Sequence, residues 1–189
     1  LYRNVEQAEI QEHGAYDPHT WVSPYEARLQ AEAIYDALMR HDPANADGYS
    51  ERWNTLNEEL MTLDLSYSAQ LSTRTKTSIF VTHDAFGYIA RRYGFEQKSI
   101  VGISAAAQPG TETLTQIIQQ IQQTDTYTIY IEPGYSDAYV QTVKVELQAQ
   151  TGKHVEVLNL YHMNGDQDGL DYLAQMGNNL ENLRMGLES

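Results

Sequence analysis

From Thr77 onward, short apolar runs alternate with helical segments, and this alternation restricts the fold more than any other feature of the chain. Ile79-Phe80-Val81, Ser99–Ile103, Thr128–Ile131 and Val155–Leu158 each have the length and side-chain character of a buried strand. Between them the spacing predicts helices over 84–93, from Thr111 through Ile121, and from Ser136 to about Thr151. Gly94 and Gly152 stand where a left-handed C-cap would stop a helix. A last helix is expected over 168–187, carrying Leu170, Leu173, Met176, Leu180, Leu183 and Leu187. Strands separated by helices pair in parallel and are covered on both faces, so the fold class is α/β, with a parallel four-stranded sheet flanked by helices. The crossovers are expected to be right-handed.

The first part of the chain reads differently. Residues 1–18 form a polar strap without a clear period. Ser23-Pro24-Tyr25-Glu26 has capping-box spacing with Pro at the first helical position, and Ala27, Ala31, Ile34 and Leu38 recur at helical intervals. A helix is therefore expected over 24–40. Asp42-Pro43 repeats the start signal, and Trp53, Leu56, Leu60, Leu63, Tyr67 and Leu71 follow at spacings of three and four. The second helix should run over 43–72, roughly 45 Å at 1.5 Å per residue. Such a helix either bridges two bodies or lies on a surface with one buried stripe. The Gln-rich stretch Gln116–Gln123 is read as a polar helix face.

Charge and composition exclude several functions. Twelve Lys and Arg against 26 Asp and Glu give a net charge of −14, a field that repels phosphate backbones and makes nucleic acid an unsuitable partner. With no Cys there is no disulfide, no thiolate metal site and no thiol nucleophile. No apolar run approaches the ~18 residues that span a bilayer. Leu1 is not a start Met and no signal peptide is visible, so the chain is expected to be a piece of a longer product.

In open parallel sheets, ligands bind beyond the carboxyl ends of the strands. His83 follows the first strand, Ser104 the second, Glu132 ends the third, and His162 lies just past the fourth. Two imidazoles and a carboxylate on one rim suit Zn²⁺ or another borderline cation, although each alone also reads as a packed or capping residue. His19 follows the Asp17-Pro18 turn starter and is, on its own, a surface loop residue with Trp21 behind it. His41 reads as the end of a helix, His154 lies at the opposite edge of the sheet, and His13 sits in a solvated segment. No phosphate-binding Gly-rich motif, nucleophile elbow or H-E-x-x-H helix is present. A Ser104/His83/Asp84 hydrolytic set can be drawn, but Asp84 reads better as the cap of the helix that follows it.

Two segments resemble a known family. Asp17-Pro18-His19-Thr20-Trp21-Val22-Ser23-Pro24 is similar to the D-P-H-x-W-x-[DS]-P segment of the zinc/manganese-binding solute-binding proteins of ABC importers (ZnuA/AdcA-like), and Thr82-His83-Asp84-Ala85-Phe86-Gly87-Tyr88 to their H-D-A-F-G-Y segment. The long helix between the segments, the Ile103-Ser104 turn and the closing Asn179-Leu180-Glu181-Asn182-Leu183 helix also fit, so the resemblance covers nearly the whole chain. It implies two α/β lobes joined by a rigid inter-lobe helix, with one metal in the cleft. Residues 1–42 would then be the remnant of an N-terminal lobe, 43–72 the linker helix and 73–189 the C-terminal lobe. His19 and His83 match the family's ligands. His162 falls where the remaining C-lobe ligand, usually Asp or Glu, is expected, which leaves the fourth ligand open. Glu132, Asp17 and Asp84 become candidates for orienting the imidazoles. The rest of the N-terminal lobe and its ligand His, ~100 residues, would precede Leu1 and pack against this chain, and exposed apolar surface in its absence could drive self-association.

The resemblance implies a non-enzymatic component that captures Zn²⁺, or less readily Mn²⁺, outside the cytoplasm, in the periplasm or lipid-anchored at the cell surface, and hands it to a membrane permease. Three imidazoles favour zinc over manganese. Without the missing ligand this chain is expected to bind metal weakly. Two other readings remain open: a metal-dependent hydrolase using the His/Glu rim, and a metal-free structural or adhesive domain.

Overall fold

The computed structural model describes residues 16–101 and 109–188. After a short 3-10 turn at Thr20–Val22 the chain enters α1, Pro24–His41. Pro24 occupies its first turn, and Ser23 bonds the Glu26 carboxylate instead of a backbone N–H. A turn at Pro43–Asn45 leads into α2, Ala46–Leu71, whose 26 residues extend about 39 Å. Both helices stand where the apolar spacing predicted them.

The remainder is a three-layer α/β unit. Strands β1 (Ser78–Val81), β2 (Glu96–Ser99), β3 (Thr128–Ile131) and β4 (Glu156–Asn159) pair in parallel in the order β2-β1-β3-β4. They are connected through α3 (Gly87–Tyr93), α4 (Thr111–Thr124) and α5 (Ala138–Thr151), and α6 (Tyr172–Glu188) closes the chain. β1 shows why both faces are covered. Ile79 and Val81 point into a core with α2, α3 and α6, which includes Tyr67, Leu71, Ile89, Met176, Leu180 and Leu183. Phe80 points into the other core with Ile117, Ile121, Val143 and Leu147 of α4 and α5. Gly94 (φ +80°) and Gly152 (φ +68°) end α3 and α5 in the left-handed conformation expected of them.

Several boundaries differ from the sequence expectation. β2 is the polar run Glu96-Gln97-Lys98-Ser99 rather than 99–103, because an edge strand needs no apolar run, and the buried Ile100 and Val101 lie just past its end. β4 begins one residue later than expected, and α6 begins at Tyr172 rather than near 168. α3 starts at Gly87 with Phe86 at its N-cap, so Asp84 does not cap it. Ser104, its turn and His13 lie outside the described residues.

The strand order reverses direction between β1 and β3. This is the switch point at which the two following loops diverge and leave a crevice at the carboxyl edge. His83 leaves β1 and Glu132 leaves β3 at this point.

Candidate metal centre

His83 and Glu132 meet at the switch point. Both are buried, and His83 Nδ1 lies 2.5 Å from Glu132 Oε2, although neither atom is aligned in a hydrogen bond. The other carboxylate oxygen accepts the Thr82 hydroxyl at 2.5 Å and the His83 backbone N–H at 3.4 Å. The acid therefore braces the loop that carries the imidazole and also faces its ring.

His162 follows β4 and approaches from the other side. Its Nδ1 is 3.8 Å from the same Oε2, and its ring centre is 5.5 Å from that of His83. The loop is tied down by Asn179 of α6, which accepts the Tyr161 N–H at 2.7 Å and donates to the Tyr161 carbonyl at 2.6 Å. Burial pushes the His162 imidazole below its ordinary value, and the attraction of Glu132 only partly offsets this, so the ring favours the neutral form that can coordinate.

His19 arrives from outside the sheet. The Asp17 carboxylate accepts both the His19 backbone N–H (2.9 Å) and its ring Nδ1 (2.8 Å). Three long-range hydrogen bonds dock this loop on the α/β unit. Tyr88 of α3 donates to the Asp17 carbonyl at 3.0 Å, Trp21 Nε1 donates to the His162 carbonyl at 2.8 Å, and Tyr172 donates to the Trp21 carbonyl at 2.6 Å. The His19 and His83 ring centres are 5.3 Å apart. On a tetrahedral zinc with Zn–N of about 2.0–2.1 Å, two imidazole centres sit about 5 Å apart, so both observed spacings fit a shared ion.

The chemistry of the set also fits a borderline cation. Two imidazoles turn Nδ1 toward a buried carboxylate, the arrangement that fixes the tautomer and leaves Nε2 for a metal. His83 Nδ1 and Glu132 Oε2 are buried and face each other at 2.5 Å without an aligned hydrogen bond, so the pair is within bonding reach. Among the described residues no three His, Asp or Glu side chains already surround one point as a formed metal site.

The structure thus brings His19, His83, His162 and Glu132 together and sets Asp17 behind His19. His154 is exposed beside Glu156 at the opposite edge, and His41 ends α1. Sequence reasoning placed Asn179 only in the closing helix and missed its bonding role and those of Tyr88, Trp21 and Tyr172. Asn179 was findable, because it interrupts the apolar stripe of Met176, Leu180 and Leu183 on the buried side of α6.

The chain is similar to proteins already known. The chain is 33% identical over 173 residues to the zinc-binding protein AdcA of Streptococcus pyogenes, covering 90% of this chain and 33% of AdcA. It is 31% identical over 176 residues to the high-affinity zinc uptake system protein ZnuA of Bacillus subtilis, covering 92% of this chain and 54% of that protein. The laminin-binding protein Lbp of Streptococcus pyogenes superposes with a TM-score of 0.81 at 28% identity, over 91% of this chain and 66% of Lbp. The chain thus spans about a third to a half of the length of these curated relatives. The family described as zinc-uptake complex component A, periplasmic, matches residues 3–186, through both the His19 and His83 segments. A match of that extent is decisive for the family: the chain belongs to the ZnuA family.

Proposed function

We propose that the chain is the metal-gripping part of a solute-binding component of an ABC importer, working outside the cytoplasm with Zn²⁺ as its cargo. His19, His83 and His162 serve as ligands through Nε2. Asp17 orients His19, and Glu132 orients His83 and His162. The carrying observation is the pair His19 and His83, remote in sequence, with rings 5.3 Å apart and each Nδ1 facing its own buried carboxylate. Imidazole-rich sites suit zinc better than manganese, in keeping with the zinc-binding relatives.

The chain captures and releases its ion rather than turning over a substrate. In this reading residues 1–42 belong to an N-terminal lobe, α2 within 43–72 is the strut between lobes, and 73–189 form the C-terminal lobe. A further lobe, corresponding to the length by which the relatives exceed this chain, packs against it and completes the cleft, and a membrane permease receives the ion. No helix among the described residues is long and apolar enough to cross a membrane.

Zinc-induced thermal stabilisation tests the reading. A ligand that binds only the folded state at a hundredfold excess over Kd adds about 2.7 kcal/mol. Zinc is expected to raise the Tm of the chain, and His19→Ala combined with His83→Ala to abolish the rise. Affinity should fall as the pH drops below about 6, because imidazole must shed its proton to coordinate. An undiminished zinc effect in the double variant would refute the assignment.

A further inference from the structure

Glu132-Pro133-Gly134-Tyr135 is a tight turn at the end of β3. Pro133 holds the second position, Gly134 the third with φ +93°, and the Tyr135 N–H donates to the Glu132 carbonyl at 3.1 Å. These are the features of a type II turn, in which the third position needs glycine. Its two ends address opposite nitrogens of one imidazole. Glu132 Oε2 faces His162 Nδ1 at 3.8 Å, and the Tyr135 hydroxyl lies 3.4 Å from His162 Nε2. The Tyr135 ring also spans both imidazoles, with its centre 5.3 Å from His162 and 5.8 Å from His83.

On His19 and His83, Nδ1 faces a carboxylate and coordination falls to Nε2. His162 repeats this orientation more loosely, so its coordinating nitrogen is the one that Tyr135 covers. A phenol keeps its proton at neutral pH and donates it to the lone pair a metal would take. Tyr135 is 43% exposed, so an outward path is open to it. Inward, the ring faces a small void of about 50 Å³ lined by Thr82, His83, Ile100, Val101 and Tyr139.

We propose that Tyr135 is a gate on the metal centre: its hydroxyl holds Nε2 of His162 in the metal-free protein and must swing toward solvent before the third imidazole can coordinate. The inference rests on the metal-capture reading above. It makes Tyr135 a determinant of affinity, acting against binding rather than for it.

Tyr135→Phe keeps the ring and removes the competing donor. One net hydrogen bond converts to about a two- to tenfold change in an equilibrium constant. Zinc titration of the full chain against a chelating fluorescent competitor is therefore expected to give a Kd two- to tenfold tighter in Tyr135→Phe than in the parent. The metal-free ¹⁵N resonance of His162 Nε2 is expected to shift in the same variant, because it loses its donor. Both results are required. Equal or weaker binding by a variant whose parent binds zinc overturns the gate alone, as does an unmoved His162 resonance; weaker binding would mean that the hydroxyl favours zinc binding instead of opposing it. Zinc binding by neither form overturns the metal-capture reading and the gate with it.

Discussion

Glu132 carries more of the site than any imidazole does. Its carboxylate braces the β1 loop through Thr82 and the His83 N–H, and it faces the rings of both His83 and His162. Partners of this kind are worth about 10–100-fold in metal affinity when removed. Glu132→Gln preserves shape and is expected to weaken zinc binding by that factor in a competition titration, with an unchanged far-UV circular dichroism spectrum. A Kd within twofold of the parent would mean that the acid does not orient the imidazoles. Much of this was legible in the sequence. His83, Glu132 and His162 each follow a strand, and in a parallel sheet the carboxyl ends share one rim. His19 was legible only through its motif, because a loop imidazole has no periodicity and its anchors, Tyr88 and Tyr172, lie far away in the chain. Tyr135 escaped notice although Pro133-Gly134 marks a turn. Turn chemistry gives the local path of the backbone, but only the relative placement of β3 and β4 brings the phenol onto His162.

At the scale of elements, apolar spacing located the helices well and the edge strand poorly. The apolar residues of α1, α2 and α4 recur at the helical period, which is enough to place these helices along the chain. β2 is one of the two edge strands, and its exposed to half-buried Glu96-Gln97-Lys98-Ser99 has the polar sequence of a loop, whereas the other edge strand, β4, keeps apolar Val157 and Leu158. Close helix–sheet contact was also invisible in the sequence. In the last turn of α6, Gly186 lies against β3, and a methyl group there would overlap the Tyr130 hydroxyl and approach the Thr128 Cγ2 to 2.8 Å. The Tyr130 hydroxyl donates to the Asn182 carbonyl at 3.3 Å, so the ring is held where it is. Alanine has the better helix propensity, by up to about 1 kcal/mol, but overpacking costs about 1–3 kcal/mol. Gly186→Ala is therefore expected to lower stability by about 1–2 kcal/mol net in urea denaturation. A variant as stable as the parent would show that α6 can shift away from β3 without loss.

Across the whole molecule the core is unevenly distributed. The sheet unit has two apolar layers, whereas α1 buries only Pro24 and Ala27 and leaves Leu29, Ile34 and Leu38 exposed. α2 buries Leu60, Tyr67 and Leu71, all in its second half. That half is fastened to the sheet unit by the Tyr67 hydroxyl on the Met176 carbonyl (2.7 Å) and by Arg92, which pairs with Asp64 through two 2.6 Å bonds. Arg92 also lies 3.7 Å from the centre of the Tyr25 ring, which clamps the base of α1. Beyond this clamp, α1 and the first half of α2 form a hairpin with almost no buried side chains of its own. Opening it exposes little apolar surface, so its local opening free energy should fall well below that of the sheet unit. Amide hydrogen exchange read by mass spectrometry is expected to show at least about tenfold lower protection over residues 30–58 than over the strands β1 and β3. Residues 60–71 should follow the sheet unit. Joining a lobe that covers Ile34 and Leu38 should raise protection in the hairpin selectively, because the strands already exchange through larger openings. Equal protection in the hairpin and the strands of the chain by itself would mean that α1 and α2 are held by something other than apolar burial, and α2 would then need no second lobe to act as a rigid strut.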